Sequence, residues 1–143
     1  MKTGKAFYGL LSLLTLIIGM VIYLLFRDLN NMILFSWVKK PECFGKILVP
    51  LESSIFSNII RFNIPDMLWF LSAILLFRFL WFYNHKIQKV YILCFYVIGF
   101  FFEMSQLLRK IPGTFDWLDL FFMGIGAFVE GLLYKMFTQR RLV

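Results

Sequence analysis

Charge is scarce in this chain. Only 16% of its 143 residues are Asp, Glu, Lys or Arg, where a soluble globular domain carries about a quarter. A protein of this length builds a single domain, and one small core cannot absorb the apolar remainder, so a soluble fold is excluded. Histidine is nearly absent, with His85 alone, and no CxxC or Cys/His cluster occurs. That removes zinc chemistry, and neither a metal nor another cofactor is expected. The two cysteines, Cys43 and Cys94, fall in a polar segment and in mid-run of an apolar one. A disulfide needs α-carbons within about 7 Å, so two free thiols are expected. There is no low-complexity segment and no internal repeat, which counts against a transporter built from duplicated halves.

Apolar and aromatic residues fill the space that charge leaves: 61% and 20% of the chain, with a mean hydropathy of +0.80. They fall into four runs. The first covers 7–26, about 20 residues, enough to cross a hydrocarbon core of about 30 Å at about 1.5 Å per residue. Lys2 and Lys5 precede it as they would a signal peptide, but Phe26-Arg27-Asp28-Leu29 offers no small-residue cleavage site. A retained helix is expected. Residues 27–64 mix charged and apolar side chains and are punctuated by Pro41 and Pro50. They read as a longer loop carrying short interfacial pieces at 32–38 and 53–62. The second span covers 65–83, with Asn63 as cap, Pro65 in the first turn and Asp66 at the positive end of the dipole. A basic turn at 84–89 leads to the third span, 90–108. A Pro-Gly turn then leads to the fourth, 117–137. The expected fold is all-α: an integral membrane bundle of four transmembrane helices forming one domain over 1–143, with the longer loop between the first two.

The net charge of +7 is read as topology, because the bases flank apolar runs and no separate basic surface exists for nucleic acid. Lys2, Lys5, Lys86, Lys89, Lys135, Arg140 and Arg141 fall on one side, with no acid in those flanking segments. The bases of the other side are spread over longer loops, where they orient less strongly. A plasma (inner) membrane protein with both termini cytoplasmic is expected, the long loop and the 109–116 turn lying outside.

The acids and amides inside the last three spans carry the functional signal. Glu103 and Gln106 are three apart and share a helix face, as do Asp116 and Asp119. With Asp66, all lie toward the expected outer end. The aspartates also sit at expected helix starts, where capping alone accounts for them, and Trp69 and Trp117 suit interfacial positions. Glu103 stands apart. It lies deep in its span after three phenylalanines and near the negative end of the dipole, where an acid needs a partner or a function; Arg109 or Arg61 is in range to neutralise it. Lower in the bundle, Glu130 and Arg78 fall at matching depth and are expected to brace each other. Gly124, Ala127 and Gly131 form a small-residue stripe suited to close helix packing.

Glu103-Met104-Ser105-Gln106, followed by Gly113-Thr114-Phe115-Asp116-Trp117-Leu118-Asp119-Leu120, resembles the signature of the VanZ-like family. Its members carry Glu-x-x-Gln at one helix end, then a Gly-Ser/Thr-Phe-Asp-x-x-Asp turn and a Gly-rich helix. Gly126 and Gly131 fall near the later glycines. The likeness covers about 90–135 and, more loosely, Asn63-x-Pro65. The family usually has Asn four residues past the last Asp, where this chain has Met123. The resemblance implies a small bacterial multi-pass membrane protein, related to an accessory factor in glycopeptide-antibiotic resistance; it implies no defined reaction.

Three functions remain open. The chain is a membrane protein binding an envelope lipid, a glycopeptide-like molecule or a wall precursor through Glu103, Gln106, Asp116, Asp119, Asp66 and Arg109. Alternatively it is an enzyme on a lipid-linked substrate, less favoured because no nucleophile has a base beside it and no catalytic residue can be named. Or it is a scaffold that packs against a membrane partner or a second copy. A phosphate ligand would need Arg61, Arg109 or Lys110, or a bridging divalent cation, to offset the carboxylates.

Overall fold

The computed structural model describes residues 2–26, 54–110 and 115–139. The piece at 32–38, Cys43, and residues 111–114 of the motif lie outside them. The described residues are 90% helical with no strand, and four helices are long and apolar enough to cross a membrane. These are α1 (Lys2–Phe26), α2 (Ile55–Leu80), α3 (His85–Leu107) and α4 (Trp117–Gln139).

Four helix limits differ from the sequence reading by three residues or more, the first being the start of α1 at Lys2 instead of 7. The second span starts a decade of residues earlier than 65, and no separate interfacial helix ends before Pro65. Ser54 caps α2 by accepting from Ser57 N, and the Ser57 hydroxyl accepts from Ser54 N in return. Pro65 has no N–H to give the carbonyl four residues back, which would ordinarily stop a helix. The chain instead widens into a π turn, Ile59–Asn63, in which Ile64 N donates to Ile59 O, and the helix continues beyond the proline. Asp66 therefore lies within a continuous helix. α2 ends at Leu80, not at 83, because Trp81 leaves helical geometry. The third span likewise starts at His85 instead of 90. Asn84 Oδ1 accepts from Ile87 N, so this amide cap draws the expected basic turn into the helix.

α2 is the axis of the bundle. α1, α3 and α4 all pack on it, α1 most extensively, while α3 and α4 scarcely touch each other. The α1–α2 contact rests on small polar and glycine positions. Ser12 Oγ donates to Ser72 O at 2.9 Å, and Ser72 Oγ returns a bond to Ser12 O at 2.8 Å. A Cβ on Gly19 would lie 2.8 Å from the Trp69 ring, and one on Gly9 2.9 Å from Phe79. Trp69 also stacks on Tyr23, with centroids 5.1 Å apart. It is thus a packing residue of the α1–α2 seam. Without hydrophobic drive between helices in lipid, such close backbone approach and interhelical bonding hold the pair. A Cβ added at Gly124 or Gly131 would meet nothing within 4 Å, so neither glycine makes a close helix contact among the described residues; Gly126 faces Met67 and Phe70 instead.

At one end, α2, α3 and α4 are tied by a buried polar knot. Arg78 Nε donates to Glu130 Oε1 at 2.6 Å and Nη1 to Gln88 Oε1 at 2.7 Å. Gln88 Nε2 donates to Arg78 O at 3.2 Å, and the guanidinium lies 4.0 Å from the centre of the Tyr134 ring. Every charge here is matched, as an apolar setting demands. Clamped at this end and slightly in contact elsewhere, α3 and α4 leave a space between them at the other.

Candidate functional site

That space is a cavity of about 870 Å³, within the usual range for small-molecule sites. α2 supplies its back wall, α3 and α4 its sides. Its polar lining consists of Asn58, Asn63, Asp66, Glu103, Gln106, Asp116 and Asp119. Five of the six ligand-binding candidates named from sequence therefore share one cavity. Arg109, the sixth, does not line it.

Local folding explains each placement. The π turn carries Asn63, which makes no cap bond and is buried. Its Nδ2 instead donates to Asp119 Oδ1 across the bundle at 2.7 Å. π turns recur at functional sites for this reason: the added residue redirects a side chain that regular α-geometry would aim elsewhere. Asp66 follows one turn after the π turn's centre. Asp116 caps α4, its Oδ1 accepting from Leu118 N at 2.9 Å, so the structural role open to it is filled while it also lines the cavity. Glu103 and Gln106 arrive from the last turns of α3. That helix stops where Arg109 takes φ 54°. Arg109 N bonds Gln106 O and Lys110 N bonds Ser105 O, each at 2.9 Å, the paired closure of a left-handed helix end. This geometry turns Arg109 outward, exposed.

The electrostatics are one-sided. No Lys, Arg or His lines the cavity among the described residues. The charges of Asp119, Asp66 and Asp116 all act on Glu103, whose Oε2 is buried with no hydrogen-bond partner. Neither Arg61 nor Arg109 pairs with it; the ion pair found among the described residues is Arg78–Glu130. Arg61 lies against Phe62, its guanidinium 5.9 Å from the ring centre. No group of three acids, histidines or cysteines is arranged to hold a metal among the described residues.

Two other side chains bear on chemistry. Ser105 Oγ donates to Phe101 O of its own helix at 2.7 Å and does not line the cavity. His85 lies at the clamped end, 3.5 Å from Gln88 Oε1. Among the described residues no activated nucleophile faces the acids. The apolar lining comes from Phe70, Phe95, Ile98, Gly99, Phe102 and Met123 with neighbouring residues. Gly99 lies against the Met123 thioether end, so a side chain added there would displace Met123 at the floor.

Sequence reasoning missed Asn58, Gln88 and the bonding role of Asn63. Pattern alone puts Asn63 at a cap and Gln88 in a turn; spacing of four from Asn84 is the available signal for the latter. Met123, noted in sequence for the amide it lacks, forms part of the cavity floor. Comparison with family models, curated proteins and solved structures yields no match to this chain.

Proposed function

We propose that the chain is a VanZ-like membrane protein that binds, without turning over, a cell-envelope or glycopeptide-like ligand at the acidic cavity. One observation carries the reading: acids and amides from three helices line one ligand-sized cavity that holds no base among the described residues. Carboxylates in an apolar setting are costly and are kept for function. Cationic or hydroxyl-rich groups satisfy them; a bare phosphate would be repelled. The likeness of Glu103 to Gln106 and of Asp116 to Asp119 to the VanZ-like signature points to glycopeptides as the first ligands to try.

Thermal unfolding of the purified protein with an amine-bearing glycopeptide tests this. Stabilisation is expected, reduced equally by Gln106→Ala and Asp119→Asn, since both only bind. Absence of stabilisation overturns the reading. Turnover abolished by Glu103→Gln with affinity retained would instead establish an enzyme.

The cavity is proposed to open on the outer side of the plasma membrane, with both termini inside. The basic residues at Lys2, Lys5, Lys86, Lys89 and Lys135 support this orientation. In intact cells a lone cysteine at Phe115 should react with an impermeant maleimide and one at Asn84 should not; the reverse pattern inverts the topology.

A further inference from the structure

Toward the clamped end the cavity lining loses its acids. Counting down α3 from Glu103, the lining passes through Gly99 to Phe95, eight residues or about 12 Å along the helix. From Asp66 it descends to Phe70 and from Asp119 to Met123, so on all three walls carboxylates give way to apolar side chains within one turn. A polar ligand such as a free sugar or amino acid would fill the upper part and leave this lower half facing it without complementary groups.

The second feature is the opening. Ile98 and Phe102 of α3 and Leu118 of α4 line the cavity yet are 62%, 55% and 41% exposed, and Ile55 and Phe62 of α2 are exposed as well; α3 and α4 scarcely meet. In a protein whose other exposed helix faces are lipid-facing leucine, isoleucine and phenylalanine, exposed apolar lining marks an opening toward hydrocarbon, not toward water. The clamp of Arg78, Gln88 and Glu130 closes the far end, so the lateral gap lies beside the acids and their apolar floor.

We infer that the cavity takes an amine-bearing amphiphile from the bilayer, its ammonium among the carboxylates and its chain against Gly99, Phe70 and Met123, leaving between α3 and α4. This rests on the binding reading above and names the ligand class. The ammonium offers three donors, and one acceptor in the cavity, Glu103 Oε2, is buried with no hydrogen-bond partner; no base lines the cavity among the described residues. The chain covers the apolar half and is already dissolved in lipid, so it enters without crossing water. Met123 suits a floor that must fit chains of varied shape, because its thioether side chain is flexible.

The test uses the full chain in phosphatidylcholine nanodiscs and dodecylamine carrying a diazirine at its chain end. Photolysis is expected to label Phe95–Gly99 and Met123, with unlabelled dodecylamine competing and dodecyl phosphate failing to compete. Glu103→Gln with Asp119→Asn should cut labelling about tenfold or more, as loss of a charge-assisted contact does. Met123→Asn, which keeps the acids and makes the floor polar, should reduce labelling by dodecylamine by a larger factor than it reduces binding of free ethanolamine. Labelling confined to the outward leucines of α1, or equal competition by dodecyl phosphate, overturns the inference. If free ethanolamine competes as well as dodecylamine, the cavity binds amines but not amphiphiles, and only this inference fails. If no amine binds and the glycopeptide also fails to stabilise the protein, the binding reading falls with it.

Discussion

At the scale of single residues, the acids were legible because they were misplaced. Glu103 after three phenylalanines has no reason of propensity to be there, and its face-sharing with Gln106 follows from helical spacing alone. Asn63 was not legible. Its position before Pro65 reads as a cap, and only the π turn, a defect that no periodicity announces, directs it to Asp119. Hydrogen bonds to charged acceptors contribute about 1.5–3 kcal/mol. Asn63→Ala should therefore lower stability by about that amount, and Asn63→Asp by more, since a fifth carboxylate joins the group. Thermal unfolding in detergent measures both; an unchanged midpoint for Asn63→Asp would mean that the bond to Asp119 contributes nothing.

At the scale of helices, the existence of four spans could be read from apolar runs, but which faces meet could not. The stripe of Gly124, Ala127 and Gly131 has the right spacing for packing, yet Gly124 and Gly131 face open space. The close approach is made by Gly9, Ser12 and Gly19 in α1, whose spacing is less regular and whose partners, Phe79, Ser72 and Trp69, lie far away in sequence. Overpacking a tight contact costs about 1–3 kcal/mol. Gly19→Val should fall in that range, against less than about 0.5 kcal/mol for Gly124→Val, read from unfolding of the purified protein in detergent. Equal effects would contradict the packing described. The brace between Arg78 and Glu130 was visible as two charges at matching depth, but Gln88 completes it. Arg78→Met should cost about 3–5 kcal/mol by stranding Glu130, and adding Glu130→Leu should return most of the loss. A double variant no better than the single would show that the carboxylate is not stranded.

At the scale of the molecule, one helix mediates nearly all tertiary contact. α2 is 26 residues long, about 39 Å, and the hydrocarbon it crosses is about 30 Å thick. It must lean or bury its ends in the headgroups. α3 and α4 are fastened to α2 and hardly to each other, with the Arg78 knot as their common hinge. The cavity end of α4 is tied to α2 by the bond from Asn63 to Asp119, so a change in the lean of α2 is expected to carry α4 with it and to alter its separation from the cavity end of α3. Labelling by the chain-end diazirine should differ between phosphatidylcholine bilayers of short and long acyl chains, with the Arg78 knot intact in both. A site walled by helices that gripped one another would register no such difference, and equal labelling in both bilayers would show that the mouth keeps one width.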